Sequence, residues 1–540
     1  MKKIILVLVL LCSFLFCDNS YSVQYKDIVR VGISNNDFSK LYYPTITITA
    51  SKPFQIYDKK TGNVLGNCAP EELLRADFCN GAISLTSKNY SKKNIQNPIG
   101  IRTGKDGFLK VVGLKRKGLE ALYKGEFELS VYNKSNGFNL INVVDMEDYL
   151  QGVVPNEMPV SFGLEALKAQ SVAARNYTLR PREKKYHNFD VCDSVDSQVY
   201  FGSNSTNPIA NKAIDATNGL FGLYNGELIL ALYCSTAGGY TENYENVFLK
   251  PFYSREDVRP IPYLVGKPDY PDYAFTPYTS EEEIEEFYTA SPNSFDKNSR
   301  CYRWDIHWSK FELQDILKEN LKKYAKSGFV YPVYEEDDFG ELLGISVTSR
   351  GVSGKAISIC IQTDKESYEI KKELVIRKIL TKNNKMLNSA NIVIRNIYDE
   401  YNDLMGVHIY GGGLGHGVGM SQYGAACMAS RGAKFDEILK HYYTNIAIGT
   451  FPFWTTKKET IAIDFASPNK KGTLCFDNPD LADSLSFVVN GQKITLDCDY
   501  LMNNESYALD KYIKNQNHIE FLPTNEKIKV WVEVYRQNEN

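Results

Sequence analysis

The sequence predicts an α+β fold: a β-rich N-terminal region, a central α+β domain with a Gly-rich loop, and a small β-rich C-terminal module. Three observations lead there. Alternating apolar runs crowd both ends of the chain, and one strongly helical pattern sits in the middle. Seven glycines fall between positions 411 and 424. At roughly 150 residues per domain, 540 residues correspond to about three to four domains. Composition and pattern shifts divide the chain at 1–22, 23–135, 136–450 and 451–540. Hydrophobic residues at 43% and charged residues at 24% exclude wholesale disorder. Lys and Arg number 62 against 65 Asp and Glu, and no basic block is dense enough for a nucleic-acid partner.

The first element is a targeting segment. Lys2 and Lys3 precede an apolar run from Ile4 to Phe16, then polar Asp18-Asn19-Ser20. Such a run is short for a spanning helix and suits the core of a secretory signal. Residues 1–22 are expected to be a signal peptide cut before Val23, with the body of the protein facing outward. Bulky Phe16 argues against lipidation at Cys17. Loss of Lys2, Lys3 and Asp18 leaves a mature charge of −4. Nine cysteines then remain, with no CxxC among them. Cys68 with Cys79, or Cys475 with Cys498, are near enough in sequence to pair; isolated small core residues are the plainer reading.

Strands follow in order. Residues 28–33 and 45–49 are strand-like, and Thr61-Gly62-Asn63 reads as a turn after 54–57. In 126–132, Phe127, Leu129 and Val131 share a face before the loop 133–137. A strand over 140–144 then leads into Met146-Glu147-Asp148-Tyr149-Leu150-Gln151.

Beyond it, Pro155 and Pro159 bracket Asn156-Glu157-Met158, and residues before proline are pushed away from helix. The spacing predicts a short, stiff, non-helical elbow that carries Glu157. Ser161 is expected to cap the next helix, with Glu165 in its first turn. Small Ala166, Ala169, Ala173 and Ala174 allow close approach and make this helix central; Gln170 and Arg175 are long polar groups on it. A loop acid is often merely solvated. A carboxylate fixed at a strand-to-helix junction is also how a general acid is presented.

Two later stretches are rich in small residues. Tyr233-Cys234-Ser235-Thr236-Ala237-Gly238-Gly239-Tyr240-Thr241-Glu242 follows an apolar strand and forms a tight turn, suited either to a sugar or oxyanion or to a plain hairpin. His408-Ile409-Tyr410 precedes a Gly-rich run with His416 at its centre, where backbone should lie flat against something. The run is no dinucleotide fingerprint, since no glycine triplet has GxGxxG spacing, and Ala425-Ala426 replaces the Lys-Ser/Thr of a phosphate loop. A short helix capped near Gly432 and another over 435–442 come next.

These stretches, in this order, resemble the SpoIID/LytB family (stage II sporulation protein D and amidase enhancer LytB). The residues that carry the likeness are Tyr149 to Val154 with Glu157-Met158-Pro159, then Ala166 to Arg175 and Gln198-Val199-Tyr200. The Ser235/Gly238-Gly239/Thr241-Glu242 turn and Gly415 to Gly424 complete it, with Tyr302-Arg303-Trp304 and Arg350 to Lys355 as similar linking segments. The resemblance covers roughly residues 136–450 and implies a peptidoglycan lytic transglycosylase acting on glycan strands stripped of stem peptides. It implies Glu157 as the catalytic acid and no cofactor. Ordinary glycosidases need two carboxyl groups; here the C6 hydroxyl of N-acetylmuramyl is the nucleophile, so one suffices, with Val153, Val154, Met158 and Val160 as its apolar wall. Desolvation should raise the Glu157 pKa toward neutrality. The resemblance also makes Arg175, Ser235, Thr241, His416, Ser421, Gln422 and Tyr423 candidates for lining a glycan groove, with Gln170 and Arg175 alternatively tying the central helix to the Gly-rich loop. As a lone histidine, His416 equally suits a structural hydrogen bond.

For metal, His187 and Cys192 offer two ligands with Asp196 as a further oxygen; a closed zinc site wants four, so no metal is expected. Mild overall acidity favours strands freed of the carboxylates that stem peptides carry. The family likeness admits an N-acetylmuramoyl-L-alanine amidase as partner, and a non-enzymatic enhancer or a structural envelope protein as the competing classes. Strands are expected at 461–465, 485–489, 493–496 and 527–535, with a hairpin turn at Asn490-Gly491. This C-terminal part reads as a small module for wall polymer or protein, or as a packing appendage.

Overall fold

The structure, a computed structural model, describes residues 28–131, 137–180, 186–254, 258–269, 280–335 and 339–537. The expected signal peptide and all of the 133–137 loop but Gly137 lie outside the described residues. The chain is α+β and rich in strands.

Two sheets build the N-terminal part. The first has seven strands in the order Val191–Cys192, Ile28–Ile33, Phe138–Asp145, Glu126–Val131, Ile99–Thr103, Phe54–Asp58, Val64–Cys68. The second has six, in the order Leu119–Tyr123, Leu109–Arg116, Thr45–Ala50, Leu74–Cys79, Ala82–Thr86, Ser91–Ile95. Alternation turns Val29, Val31, Ile46, Ile48, Phe127 and Leu129 into one shared core. The fully buried Arg116–Asp193 pair, at 2.6 Å, joins the second sheet to the chain just after the first sheet's edge.

Strand Phe138–Asp145 runs straight into α1 (Met146–Glu157), whose N-terminus is capped by Asp145 through the amides of Glu147 and Asp148. The elbow expected at 155–158 is mostly helix. Pro155 lies inside α1, in its last turn, where it forfeits one hydrogen bond to Gln151. The neighbouring Gly152 carbonyl accepts from Asn156 Nδ2 at 2.6 Å and from the Phe201 amide at 3.3 Å. Only Met158, just before Pro159, is extended, at φ −129° and ψ 127°. Ser161 falls within a 3-10 turn, Val160–Phe162, and caps nothing; α2 (Leu164–Leu179) starts from Gly163 at φ +96°, with Glu165 in its first turn. As its alanines imply, α2 is central: eleven of its sixteen residues are buried, and it touches α1 and the helices Pro208–Asp215, Gln422–Ser430 and Phe435–Tyr442.

A second core gathers around Trp308, Leu313, Leu317 and Ile359 between helix Lys310–Tyr324 and the strands of residues 304–411. The C-terminal strand Lys529–Tyr535 pairs with Ala447–Gly449, Phe453–Trp454 and Thr473–Asp477, inside the sheet that also holds Phe221–Tyr224. Turn residues Asn490 and Gly491 take positive φ, 49° and 85°, as a two-residue hairpin needs. The nine cysteines from Cys68 to Cys498 are all unpaired. Among the described residues no helix is long and apolar enough to cross a membrane.

Candidate active site

Glu157 is the last residue of α1, so its side chain leaves the helix end where α1, segment 198–201 and the Gly-rich region converge. One carboxylate oxygen accepts the Val199 amide at 2.5 Å. The rest of its setting is apolar and aromatic: Val153, Val154 and Met158 are buried beside it. Burial pushes the Glu157 carboxyl up to about 7, against the opposing pull of the Val199 amide and the Tyr233 hydroxyl. The residue is nevertheless half-buried rather than sealed, so a ligand can reach it. A carboxyl that is half protonated near neutrality can donate a proton and then take one back.

Below it lies a polar chain. Gln198 Nε2 donates to Thr178 Oγ1 at 2.9 Å and to the Tyr149 hydroxyl at 3.2 Å, while its Oε1 accepts from the Tyr233 hydroxyl at 3.0 Å. Gln422 Nε2 donates to the Glu157 backbone carbonyl at 3.0 Å and to Gln170 Oε1 at 3.1 Å. The Gly-rich region thus grips the peptide group of the glutamate itself, through one side chain.

The other residues singled out from sequence fall into different roles. Arg175 is buried and turned from Glu157: it makes a two-pronged pair with Glu147, at 2.9 and 2.7 Å, and donates to the Leu220 carbonyl. Of the two helix polar groups, Gln170 therefore meets the Gly-rich region and Arg175 does not. Ser421 caps helix Gln422–Ser430 through the Gly424 amide and accepts from Ala237 N, each at 3.3 Å. Thr241 exchanges hydrogen bonds with the Lys267 backbone. His416 Nδ1 accepts the Val418 amide at 3.0 Å, with its ring beside Phe248. Tyr423 is half-buried, packs edge-on against Phe162 at 4.8 Å, and its amide binds the Ser235 carbonyl.

What the Gly-rich backbone lies flat against is the 232–239 turn. Tyr233–Cys234 pairs in parallel with Met420–Ser421, and Thr236 bridges Leu414. A Cβ at Gly413 would meet the Thr236 carbonyl at 2.6 Å. The amides of that turn are used internally: Gly238 N donates to Asp296 Oδ2 at 2.7 Å. Burial, with Asp269 second, pushes Asp296 up to about 6. Glu242, also buried, accepts from Asn246 Nδ2, from the amides of Asn243, Val352 and Ser353, and from the Ser353 hydroxyl. Sequence reasoning quoted Gln198-Val199-Tyr200 as a motif without assigning it, and it passed over Tyr233. Position two residues before Ser235 was the available signal for the tyrosine; nothing local marks a backbone amide such as Val199.

Cys192 Sγ has the hydroxyls of Ser194 and Ser197 within 3.3 and 3.5 Å. Among the described residues no group of three or more His, Cys, Asp or Glu is placed to hold a metal.

Parts of the chain are similar to known proteins. The family model described as Stage II sporulation protein (SpoIID) matches residues 134–224, and a second, described as a domain of unknown function, matches 252–419. The amidase enhancer of Bacillus subtilis (strain 168) is 32% identical over 310 residues, which are 56% of this chain and 40% of that protein. The chain therefore spans less than half the length of that relative. Stage II sporulation protein D of the same organism is 28% identical over 348 residues, 62% of this chain and 82% of that protein. An uncharacterized protein of Brachyspira hyodysenteriae (strain ATCC 49526 / WA1) is 29% identical over 365 residues, 66% of this chain and 81% of that protein.

Proposed function

We propose, on the premise that this chain belongs to the SpoIID/LytB family, that it is a peptidoglycan lytic transglycosylase. Its substrate is glycan strand stripped of stem peptides, and its products carry 1,6-anhydro-N-acetylmuramyl ends. The observation that carries this reading is one accessible carboxyl, Glu157, pushed up to about 7 by its apolar surroundings and steadied by a single backbone amide. Protonated Glu157 gives its proton to the glycosidic oxygen as the C1–O4 bond breaks. The carboxylate then takes the proton of the C6 hydroxyl while C1–O6 closes. No water is consumed, and one residue serves twice.

Gln422 fixes the peptide of Glu157, the Tyr233 hydroxyl faces Gln198 and the Glu157 carboxyl, and Tyr423 offers its ring to the sugar. Ser235, in the 232–239 turn, and His416, at the centre of the Gly-rich run, are kept as groove residues; Arg175, Thr241 and Ser421 hold elements in place. In this reading 136–450 is the catalytic domain, 23–135 a β-rich flank and 451–540 an accessory module, and no cofactor takes part. The protein works outside the cytoplasm, secreted or associated with wall or membrane, in sporulation or wall remodelling.

A second reading is favoured by one relative's name, amidase enhancer. There the same groove binds wall glycan without cutting it and stimulates a partner N-acetylmuramoyl-L-alanine amidase. Mass spectrometry of stripped strands after incubation with the purified protein separates the two. Anhydro-muramyl ends are expected; their absence, with amidase stimulation intact, overturns the enzyme reading.

A further inference from the structure

Segment 198–201 continues past Glu157 to a small aromatic and basic ledge. Gln198 and Tyr200 are buried, while Val199 and Phe201 keep an outward side. Val199 N holds the Glu157 carboxylate and Phe201 N binds the Gly152 carbonyl, so the segment runs back along α1. Phe201 is two residues from Val199, about 7 Å of backbone at most. Its ring lies 6.2 Å from that of Phe38, which is 39% exposed. Lys117 Nζ stands 5.6 Å over the Phe201 ring, and Lys117 has no ion pair among the described residues. Beneath Phe38, at 4.6 Å, the Arg116 guanidinium is already paired with Asp193.

The backbone under this ledge is unusual. Fifteen described non-glycine residues have positive φ and eight of them are Asn, the residue that tolerates it best. Phe38 at φ 60° and Lys117 at φ 50° are not. Lys117-Gly118 is a two-residue turn with both φ positive, the geometry that prefers Asn-Gly. Strain of this kind persists where surroundings enforce it and collects at functional sites. The surroundings do enforce it: Asn204 clips the hairpin through Leu122 N and the Glu120 carbonyl, each at 2.6 Å, and Asn36 accepts Lys115 N at 2.8 Å.

Charge supplies the ligand's sign. Residues 28–131 hold 16 Lys and Arg against 9 Asp and Glu, a net +7 inside a chain of −3. The whole-chain charge, taken above to favour loss of carboxylates, conceals this. Asp193 is spent on Arg116 and Asp37 on Ser39, while Glu120, on the same hairpin as Lys117, keeps an exposed carboxylate.

We propose that Phe38, Phe201 and Lys117 form a subsite that seats an anionic sugar next to Glu157, with Lys117 meeting the free lactyl carboxylate of an N-acetylmuramyl residue. The inference rests on the glycan reading of the Glu157 site and names what that site selects. Removing a stem peptide breaks the amide at the lactyl group and leaves a carboxylate, so stripping the strand creates the charge that Lys117 receives.

The test uses full-length protein carrying Glu157→Gln, which binds strands without cutting them. Two probes are compared: strands stripped by an amidase, and the same strands with their carboxyls converted to amides. Stripped strands are expected to bind about fivefold more tightly. Adding Lys117→Asn should erase that preference with no fall in melting temperature, because Asn suits the turn. Adding Phe38→Asn instead should weaken both probes alike, since ring contact ignores the carboxyl. Equal binding of both probes by the Glu157→Gln protein, or a preference that survives Lys117→Asn, overturns the subsite. Turnover is read separately on wild type: a Lys117-dependent preference without anhydro ends keeps the subsite and removes the enzyme reading.

Discussion

At the scale of one residue, Glu157 makes opposite demands on function and on stability. As acid and then base it should be worth about 10²–10⁴-fold, so Glu157→Gln should cut release of anhydro-muramyl ends by at least that order. Glu157→Asp should be poor as well, because the shorter side chain draws the carboxyl back from the bond. The first step needs the proton in place, so the wild-type rate should fall as pH rises through about 7. Tyr233 favours the carboxylate, so Tyr233→Phe should move that fall to higher pH. A Gln variant as fast as wild type, or an unmoved pH limb in Tyr233→Phe, would refute these assignments. The same raised pKa costs stability. The folded protein binds the Glu157 proton more tightly than the unfolded chain, so this contribution is whole below about 4.5 and is lost as pH rises to about 7. Glu157→Gln should therefore gain on the order of 2–3 kcal/mol over wild type at pH 8 and almost nothing at pH 4. Denaturant titrations at the two pH values check it, and an equal difference at both would count against it.

Among elements, the link between Gln422–Ser430 and the end of α1 is the one to break. Gln422→Leu keeps the helix and its Ser421 cap but removes the bonds to the Glu157 carbonyl and Gln170. Two lost hydrogen bonds correspond to about a tenfold fall in turnover, and the buried Gln170 oxygen left without this donor should lower the melting temperature as well; full activity would show that the link does not position Glu157. The same elements show what sequence reveals. Helix 435–442 was legible because its apolar spacing is strong, and the strand at 529–535 because it alternates cleanly. Pro155 misled because a proline in the last turn costs the helix a single bond, to the Gln151 carbonyl, so the helix runs on to Glu157 and only Met158, before Pro159, is extended. Glu157 itself was legible from its motif. Val199 and Tyr233 were not, since both meet it through contacts over 42 and 76 positions that no local pattern encodes.

At the scale of the whole molecule, the C-terminal strand decides how the chain can be cut. Lys529–Tyr535 buries Val530, Val532 and Val534 between Ala447–Gly449 and Thr473–Asp477. A chain ending after Thr455 loses that partner and leaves the edge of the Phe221–Tyr224 sheet uncovered. It should show no cooperative melting transition, and a truncated protein that melts like the full chain would contradict this. The bond between Gln422 and Glu157 spans 265 positions, nearly half the polypeptide. A ribosome adding about 5–20 residues per second finishes Glu157 roughly 13–50 s before it reaches Gln422. Through that interval α1 exists without its clamp, and the strand at 529–535 comes later still. On the proposed reading, a chain made only as far as residue 421 would carry Glu157 without the side chain that fixes its peptide, so it should cut no glycan.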